Sequence, residues 1–205
     1  MLKDKTILVT GAGDGIGKAV ALKYASLGAN LILLGRTLKK LEKSYDEIIR
    51  NGSPTPMISL MDFSKADAND YQDLIDNLMD KYGCLDGLLL NAGILGDRSP
   101  ISSYDVSTWV TTLHVNLTAQ FILIQTLLPA LYKSKNASVI FTSSGVGKVG
   151  KAFWGAYSVS KFGTEALCQI LSAEHDSESS VRFNCINPGP VQTNMRKLAY
   201  PLEDE

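Results

Sequence analysis

Short apolar runs alternate with stretches of helical periodicity along this chain, and that alternation constrains the fold more than any other feature. The runs at residues 6–9, 31–34, 56–60, 85–90, 138–142 and 181–186 read as strands, most of them apolar throughout. Between them apolar residues recur every three or four positions, first through Ala19, Val20, Leu22 and Tyr24 and then through Leu41, Tyr45, Ile48 and Ile49. Helices are also predicted over 71–82, over 104–131 as one long or kinked element, and from Gly155 to about Glu174. Strands buried on both faces and joined by helical crossovers imply a parallel sheet covered on both sides. Ligands of such sheets bind beyond the carboxyl ends of the strands, where the strand order reverses.

The 205 residues, 45% of them hydrophobic, suffice for one domain over residues 1–205 with a substantial core. A net charge of −1 and a pI near 6.1 leave no basic surplus for a phosphate backbone, so nucleic acid is not expected as a partner. The longest apolar run, 121–131, is interrupted by Gln125, Thr126 and Pro129 and is too short to cross a bilayer, and residues 1–5 lead straight into a strand. A cytoplasmic protein with no membrane association is the expectation. Cys84, Cys168 and Cys185, widely spaced and accompanied by two histidines, argue against a disulfide framework or a zinc site and read as reduced, buried packing residues. His114 and His175 read as helix-surface or locally hydrogen-bonded residues.

The first strand breaks into Thr10-Gly11-Ala12-Gly13-Asp14-Gly15-Ile16-Gly17 and a helix follows. Strand, glycine turn and helix in that order suit a pyrophosphate, because the backbone can approach it and the free amides and dipole of the helix face its charge. The glycine spacing departs from G-x-G-x-x-G. The second strand ends at Gly35-Arg36, where a dinucleotide fold reads the adenosine ribose; an arginine there, with Lys39 and Lys40 behind it, favours the 2′-phosphate of NADP over NAD. Asp14 argues the other way, although it also suits a helix N-cap.

Tyr157 and Lys161 lie one helical turn apart. Tyr-x-x-x-Lys alone is common, but a nearby ammonium is expected to lower the phenol's ordinary value of about 10 toward the working range of an acid-base group. Ser144, just past the fifth strand, is placed to donate to the same substrate oxygen.

Taken in order, Thr10-Gly-x-x-x-Gly15-Ile16-Gly17, Asp62, Asn91-Ala92-Gly93, Asn116, Ser144, Tyr157-x-x-x-Lys161 and Pro188-Gly189-x-Val191-x-Thr193 resemble the short-chain dehydrogenases and reductases over residues 5 to about 195. Leu33-Leu34-Gly35-Arg36 and residues 184–189 are most similar to a YciK-like bacterial branch of that family. The resemblance implies a Rossmann-type doubly wound α/β fold, with a parallel sheet of six to seven strands. It implies that Tyr157 is the general acid or base, that Ser144 orients the substrate oxygen, that Lys161 lowers the tyrosine pKa and binds the nicotinamide ribose, and that Asn116 anchors a relaying water. By the same resemblance Gly11, Gly15 and Gly17 line the pyrophosphate, Asp62 contacts the adenine, Asn91 braces the sheet and Thr193 binds the carboxamide. Homodimers or homotetramers formed through the helices of Asn116 and Tyr157 are also implied.

Departures are the single asparagine of Leu90-Asn91, the acid at Asp14, and a chain ending at Glu205, where family members usually continue with a substrate-covering helix and a seventh strand. The leading expectation is an NADP(H)-dependent oxidoreductase of a small carbonyl or alcohol, with NAD(H) as the second choice of cofactor. A dinucleotide-binding regulatory or scaffold protein is the alternative, and an epimerase or dehydratase ranks third. Ile94, Leu95, Phe153 and Trp154 flank the motifs as candidates for an apolar pocket, with core packing expected for at least two of them.

Overall fold

A computed structural model describes residues 2–175 and 179–203; the expected domain limits at Met1 and Glu205 lie outside the described residues. The strands are β1 (Thr6–Thr10), β2 (Asn30–Gly35), β3 (Met57–Leu60), β4 (Gly87–Leu90), β5 (Ala137–Thr142) and β6 (Val181–Ile186). They form one six-stranded sheet in the order β3-β2-β1-β4-β5-β6, with every neighbouring pair parallel. The order runs outward from β1 to β3, returns to β4 beside β1, and runs outward again. The crevice of the reversal therefore opens between β1 and β4.

Alternation along each strand divides the core into two layers. Ile7 and Val9 of β1, with Leu31 and Leu33 of β2, pack on α1 (Gly15–Ser26) and α2 (Leu38–Arg50). Leu8, Ile32, Leu34, Leu88, Val139 and Phe141 point to the opposite face, against α3 (Ala68–Tyr82), α5 (Ala119–Tyr132) and α6 (Gly155–Glu174). Full burial of a leucine or valine side chain stabilises by about 1.5–3 kcal/mol, so two filled layers account for strands that carry no polar stripe. On β6 the pattern changes, with Val181 and Phe183 buried and Arg182 and Asn184 exposed.

Caps explain where the elements depart from the sequence reading. The first helix begins at Gly15, four residues before its apolar pattern, because the Asp14 carboxylate accepts the Gly15 N–H. The third begins at Ala68 rather than residue 71, since Asp67 and Asp70 form a reciprocal capping box. The long helix at 104–131 is resolved into α4 (Val106–Leu113), a π-helical turn at His114–Thr118, and α5. That continuous stretch of 27 residues, longer than the apolar run at 121–131, is long and apolar enough by composition to cross a bilayer, but half of its apolar window is buried inside the fold, as in a core helix. A short α7 (Asn194–Ala199), which no periodicity signalled, is capped by Thr193, whose Oγ1 accepts from the Arg196 N–H. Only Cys168 of the three cysteines is buried; Cys84 and Cys185 are half-buried.

Candidate active site

A cavity of about 810 Å³ lies at the carboxyl ends of the strands. Gly11, Gly15, Ile16, Arg36 and Asp62 form one wall, and Asn91, Ala92 and Gly93 form its floor. Ser144, Tyr157 and Lys161 stand at the other end, with Pro188, Gly189, Val191 and Thr193 between the two. Fifteen of the sequence-predicted residues thus share one space; Thr10, Gly17 and Asn116 lie behind its walls.

Each of those three has a structural task. Buried Thr10 donates to the Leu89 carbonyl and accepts the N–H groups of Asn91 and Ala92, which ties β1 to the turn after β4. Gly17 does not face the cavity, because it packs helix α1 onto the turn: a Cβ there would meet the Gly11 carbonyl oxygen at 2.2 Å and Asn91 Nδ2 at 2.7 Å. Asn116 is fully buried in the π turn, a type of helical irregularity that often marks functional sites. Its amide donates to the Ile94 carbonyl (2.8 Å) and to Ser160 Oγ (3.1 Å) and accepts the Ile94 N–H (2.8 Å), so it clamps the loop that follows β4. Asn91 ties three strands together: its Nδ2 donates to the Thr10 carbonyl, and its Oδ1 accepts from Thr142 Oγ1.

The end of the cavity that holds Tyr157 and Lys161 is built on α6. Gly155 lets the start of this helix press on Tyr104, where a Cβ would sit 2.6 Å from a ring carbon. Gly147 lets the preceding turn lie across Lys161, at 2.9 Å from a hypothetical Cβ to the lysine Cβ. So enclosed, Lys161 Nζ donates to the Thr142 carbonyl at 2.6 Å and lies 5.7 Å from the centre of the Tyr157 ring. Burial lowers the Lys161 pKa from its ordinary 10.5 to about 8.

The expectation that Lys161 lowers the Tyr157 pKa is not met in this structure. Burial pushes the phenol above its ordinary value, and the opposing influence is its hydrogen bond with Ser144 rather than the lysine charge. Desolvation penalises a phenolate, and the ammonium that would offset this is itself desolvated and turned toward a carbonyl. At neutral pH Tyr157 is therefore a protonated phenol.

At the opposite end, Asp14 does not confront the cavity as a free charge. Its carboxylate takes Lys40 Nζ (2.5 Å), the Gly15 N–H (2.8 Å) and Asn194 Nδ2 (2.9 Å). The Lys40 hydrogen bond is the main reason that its pKa lies below the usual carboxylate value. Burial raises the pKa of Asp62, but hydrogen bonds from the Ser64 hydroxyl and amide and the charge of Arg36 more than reverse this, leaving it low. Gly11 and Gly15 adopt φ of +69° and +51°, which brings the backbone itself to the wall. Asp14 caps Gly15; the next amide, of Ile16 at the cavity wall, lies in the first turn, where a helix offers no backbone acceptor, and suits an anion.

The short chain dehydrogenase family model matches residues 5–203. The chain belongs to the short-chain dehydrogenase family. It is 44% identical over 204 residues to the uncharacterized oxidoreductase YciK of Escherichia coli K12, covering all of this chain and 80% of that one. A short chain dehydrogenase structure from Pseudomonas syringae superposes with a TM-score of 0.97 at 46% identity, covering 99% of this chain and 82% of that one. Another, from Shigella flexneri and complexed with NADP, gives 0.96 at 44% identity, with 99% and 84% coverage. The Rossmann-type sheet and the YciK-like resemblance read from the sequence agree with these findings.

Several features of this dehydrogenase had no local signal in the sequence. Asn194 closes onto Asp14 across the cavity mouth, and Thr142 engages Lys161 through its backbone carbonyl, so neither contact depends on a recognisable motif. Ile94, Leu95 and Trp154 line the cavity as candidates for an apolar wall, whereas Phe153 does not: at φ +68° it turns outward and is 53% exposed. Arg98, which no motif marked, stacks on Trp154 and Tyr200 at the cavity rim.

Proposed function

We propose that this dehydrogenase interconverts a small carbonyl compound and its alcohol using NADP(H). The observation that carries the reading is a single cavity in which a glycine turn and Arg36 stand at one end and Ser144, Tyr157 and Lys161 at the other. Arg36 would take the 2′-phosphate and Gly11, Gly15 and Ile16 the pyrophosphate. Asp62 would take the adenine, Lys161 the nicotinamide ribose and Thr193 the carboxamide, its hydroxyl hydrogen being free because the oxygen caps α7 as an acceptor. The cofactor supplies the hydride in one direction and accepts it in the other.

The chain's own residues supply the proton and the alignment. Ser144 donates to the carbonyl oxygen, and Tyr157, held protonated by burial, delivers a proton to that oxygen as charge develops on it. Lys161 maintains a positive charge beside the phenol below a pH of about 8. Asn116 has committed both amide hydrogens, so a relaying water would have to be held by an acceptor in its turn. Two close relatives in structure, from Shigella flexneri and Escherichia coli CFT073, are complexed with NADP and NADPH respectively, which supports the choice of cofactor.

The test is a panel of ketones and aldehydes followed by loss of NADPH absorbance, together with titrations of NADPH and NADH. Tighter binding of NADPH, weakened about tenfold or more by Arg36→Ala while NADH is little affected, is expected. Equal affinity for the two would contradict the cofactor assignment. Tight NADPH binding with no turnover across the panel would favour the regulatory alternative.

The same reading extends to assembly through the helices of Asn116 and Tyr157. Val110, Phe121, Val159, Phe162 and Ile170 are exposed apolar residues on α4, α5 and α6 and support pairing there. Light scattering should give a dimer or tetramer; a monomer would contradict this.

A further inference from the structure

We infer that Arg98 selects substrates in which the carbonyl is accompanied by a carboxylate a few bonds away. The inference rests on the oxidoreductase reading above and names the substrate class of the same site. Arg98 lies on the loop after β4, beyond the residues that Asn116 clamps. Its guanidinium carbon sits 4.4 Å from the centre of the Trp154 ring and 5.2 Å from that of Tyr200, so two aromatic rings hold the fork on the cavity rim. Trp154 in turn meets Tyr157 at 5.7 Å between ring centres. One indole therefore separates the guanidinium from the proposed proton donor, which sets the span between the two ends of the substrate.

Charge accounting at this end of the cavity singles out the same residue. Arg196 is neutralised by a bidentate pair with Glu203. Lys161 is buried and occupied by Thr142. Arg98 donates one N–H to the Ala199 carbonyl and, among the described residues, has no carboxylate partner; its neighbour Asp97 also lines the rim but forms no ion pair with it. A guanidinium offers five donors in a planar fork that matches a carboxylate, and stacking on aromatic faces leaves its edge free for this. The wall between the two polar ends is apolar, with Ile94, Leu95 and Trp154. An oxo acid with a short hydrocarbon spacer fits polar, apolar and cationic regions in that order.

The alternative is that Arg98 only fastens α7 through Ala199 and Tyr200. The two roles separate by substrate charge. The holoenzyme would be assayed with a homologous series of oxo acids from 4-oxopentanoate to 6-oxoheptanoate and with their methyl esters, in wild type, Arg98→Gln and Arg98→Lys. The expected result is a kcat/KM for the best acid about tenfold or more above that of its ester, carried by KM. Arg98→Gln should bring the acid-to-ester ratio to about one, with Arg98→Lys in between. Quenching of Trp154 fluorescence in a Trp109→Phe background, with NADP+ in place of NADPH so that no hydride can reach the oxo acid, reads the same preference without turnover. A wild-type ratio near one, or an equal loss for acid and ester in Arg98→Gln, would overturn the inference. Arg98-dependent binding of the acid without its reduction would support it while contradicting the oxidoreductase reading; reduction without a charge preference would do the reverse.

Discussion

The two ends of the cavity are built in different ways. The end beside β1 and β2 is mostly backbone: glycines at positive φ, the start of α1, and strand ends fixed by Thr10 and Asn91. The end beside β5 is mostly side chain: Tyr157 and Lys161 on α6, Ser144 on a turn, and Trp154, Arg98 and Tyr200 stacked above them. A backbone site depends on shape and should fail through packing. A side-chain site depends on protonation and should fail through chemistry while the fold survives.

The largest expected effect tests the second half of that contrast. Tyr157→Phe removes the proton donor and should lower kcat by about 10³-fold, within the range typical of acid-base residues, while the NADPH dissociation constant stays within about twofold. Stopped-flow kinetics and a binding titration measure the two separately. A parallel loss of binding would show that the two ends are not separable.

Gly17→Ala tests the first half. Its Cβ would meet a backbone oxygen, which no rotamer can relieve, so a loss of about 3 kcal/mol and a clear fall in Tm are expected, with NADPH affinity weakened alongside. Unchanged Tm would mean that the turn is looser than its packing indicates.

Lys161→Met sharpens the contrast, because a residue that costs stability is kept where its charge has a use. Its folded pKa of about 8 lies below the unfolded 10.5, so the buried ammonium destabilises the fold fully below pH 8, and the penalty fades between about 8 and 10.5. The shift corresponds to about 3 kcal/mol, from which about 1 is subtracted for the lost hydrogen bond to Thr142. The variant should therefore be about 2 kcal/mol more stable than wild type at pH 7 by urea unfolding, with no gain above pH 10.5, and should be nearly inactive. Lower stability at pH 7 would contradict the assignment of the burial cost. The smallest effect on stability is expected from Thr193→Ala, which removes the α7 cap for about 1 kcal/mol and, in the protein without cofactor, should show as faster amide exchange confined to residues 194–199.

The same contrast governs what could be read from the sequence. The glycine turn, the strand ends and Arg36 were legible because each depends on residues adjacent in the chain, and the 3.6-residue period placed Tyr157 and Lys161 on one face. The direction of the Lys161 ammonium was not legible, since Thr142 contributes only a backbone carbonyl nineteen residues away. Ignoring that carbonyl and the burial is what produced the expectation of a lowered tyrosine pKa. Gly17 was assigned to the pyrophosphate because spacing does not distinguish a glycine that faces a ligand from one that admits a neighbouring backbone. Arg98 and α7 depend on contacts between residues about a hundred positions apart, and six residues are too few to show a helical period.

The most direct measurement follows the hydrogen itself. A ketone reduced by the enzyme with NADPH carrying deuterium at the reactive nicotinamide carbon would be recovered as the alcohol and weighed by mass spectrometry. The account predicts one deuterium on the carbinol carbon, transferred from a single face of the nicotinamide, and almost no alcohol from Tyr157→Phe. Alcohol without deuterium, or undiminished deuterated alcohol from Tyr157→Phe, would contradict it.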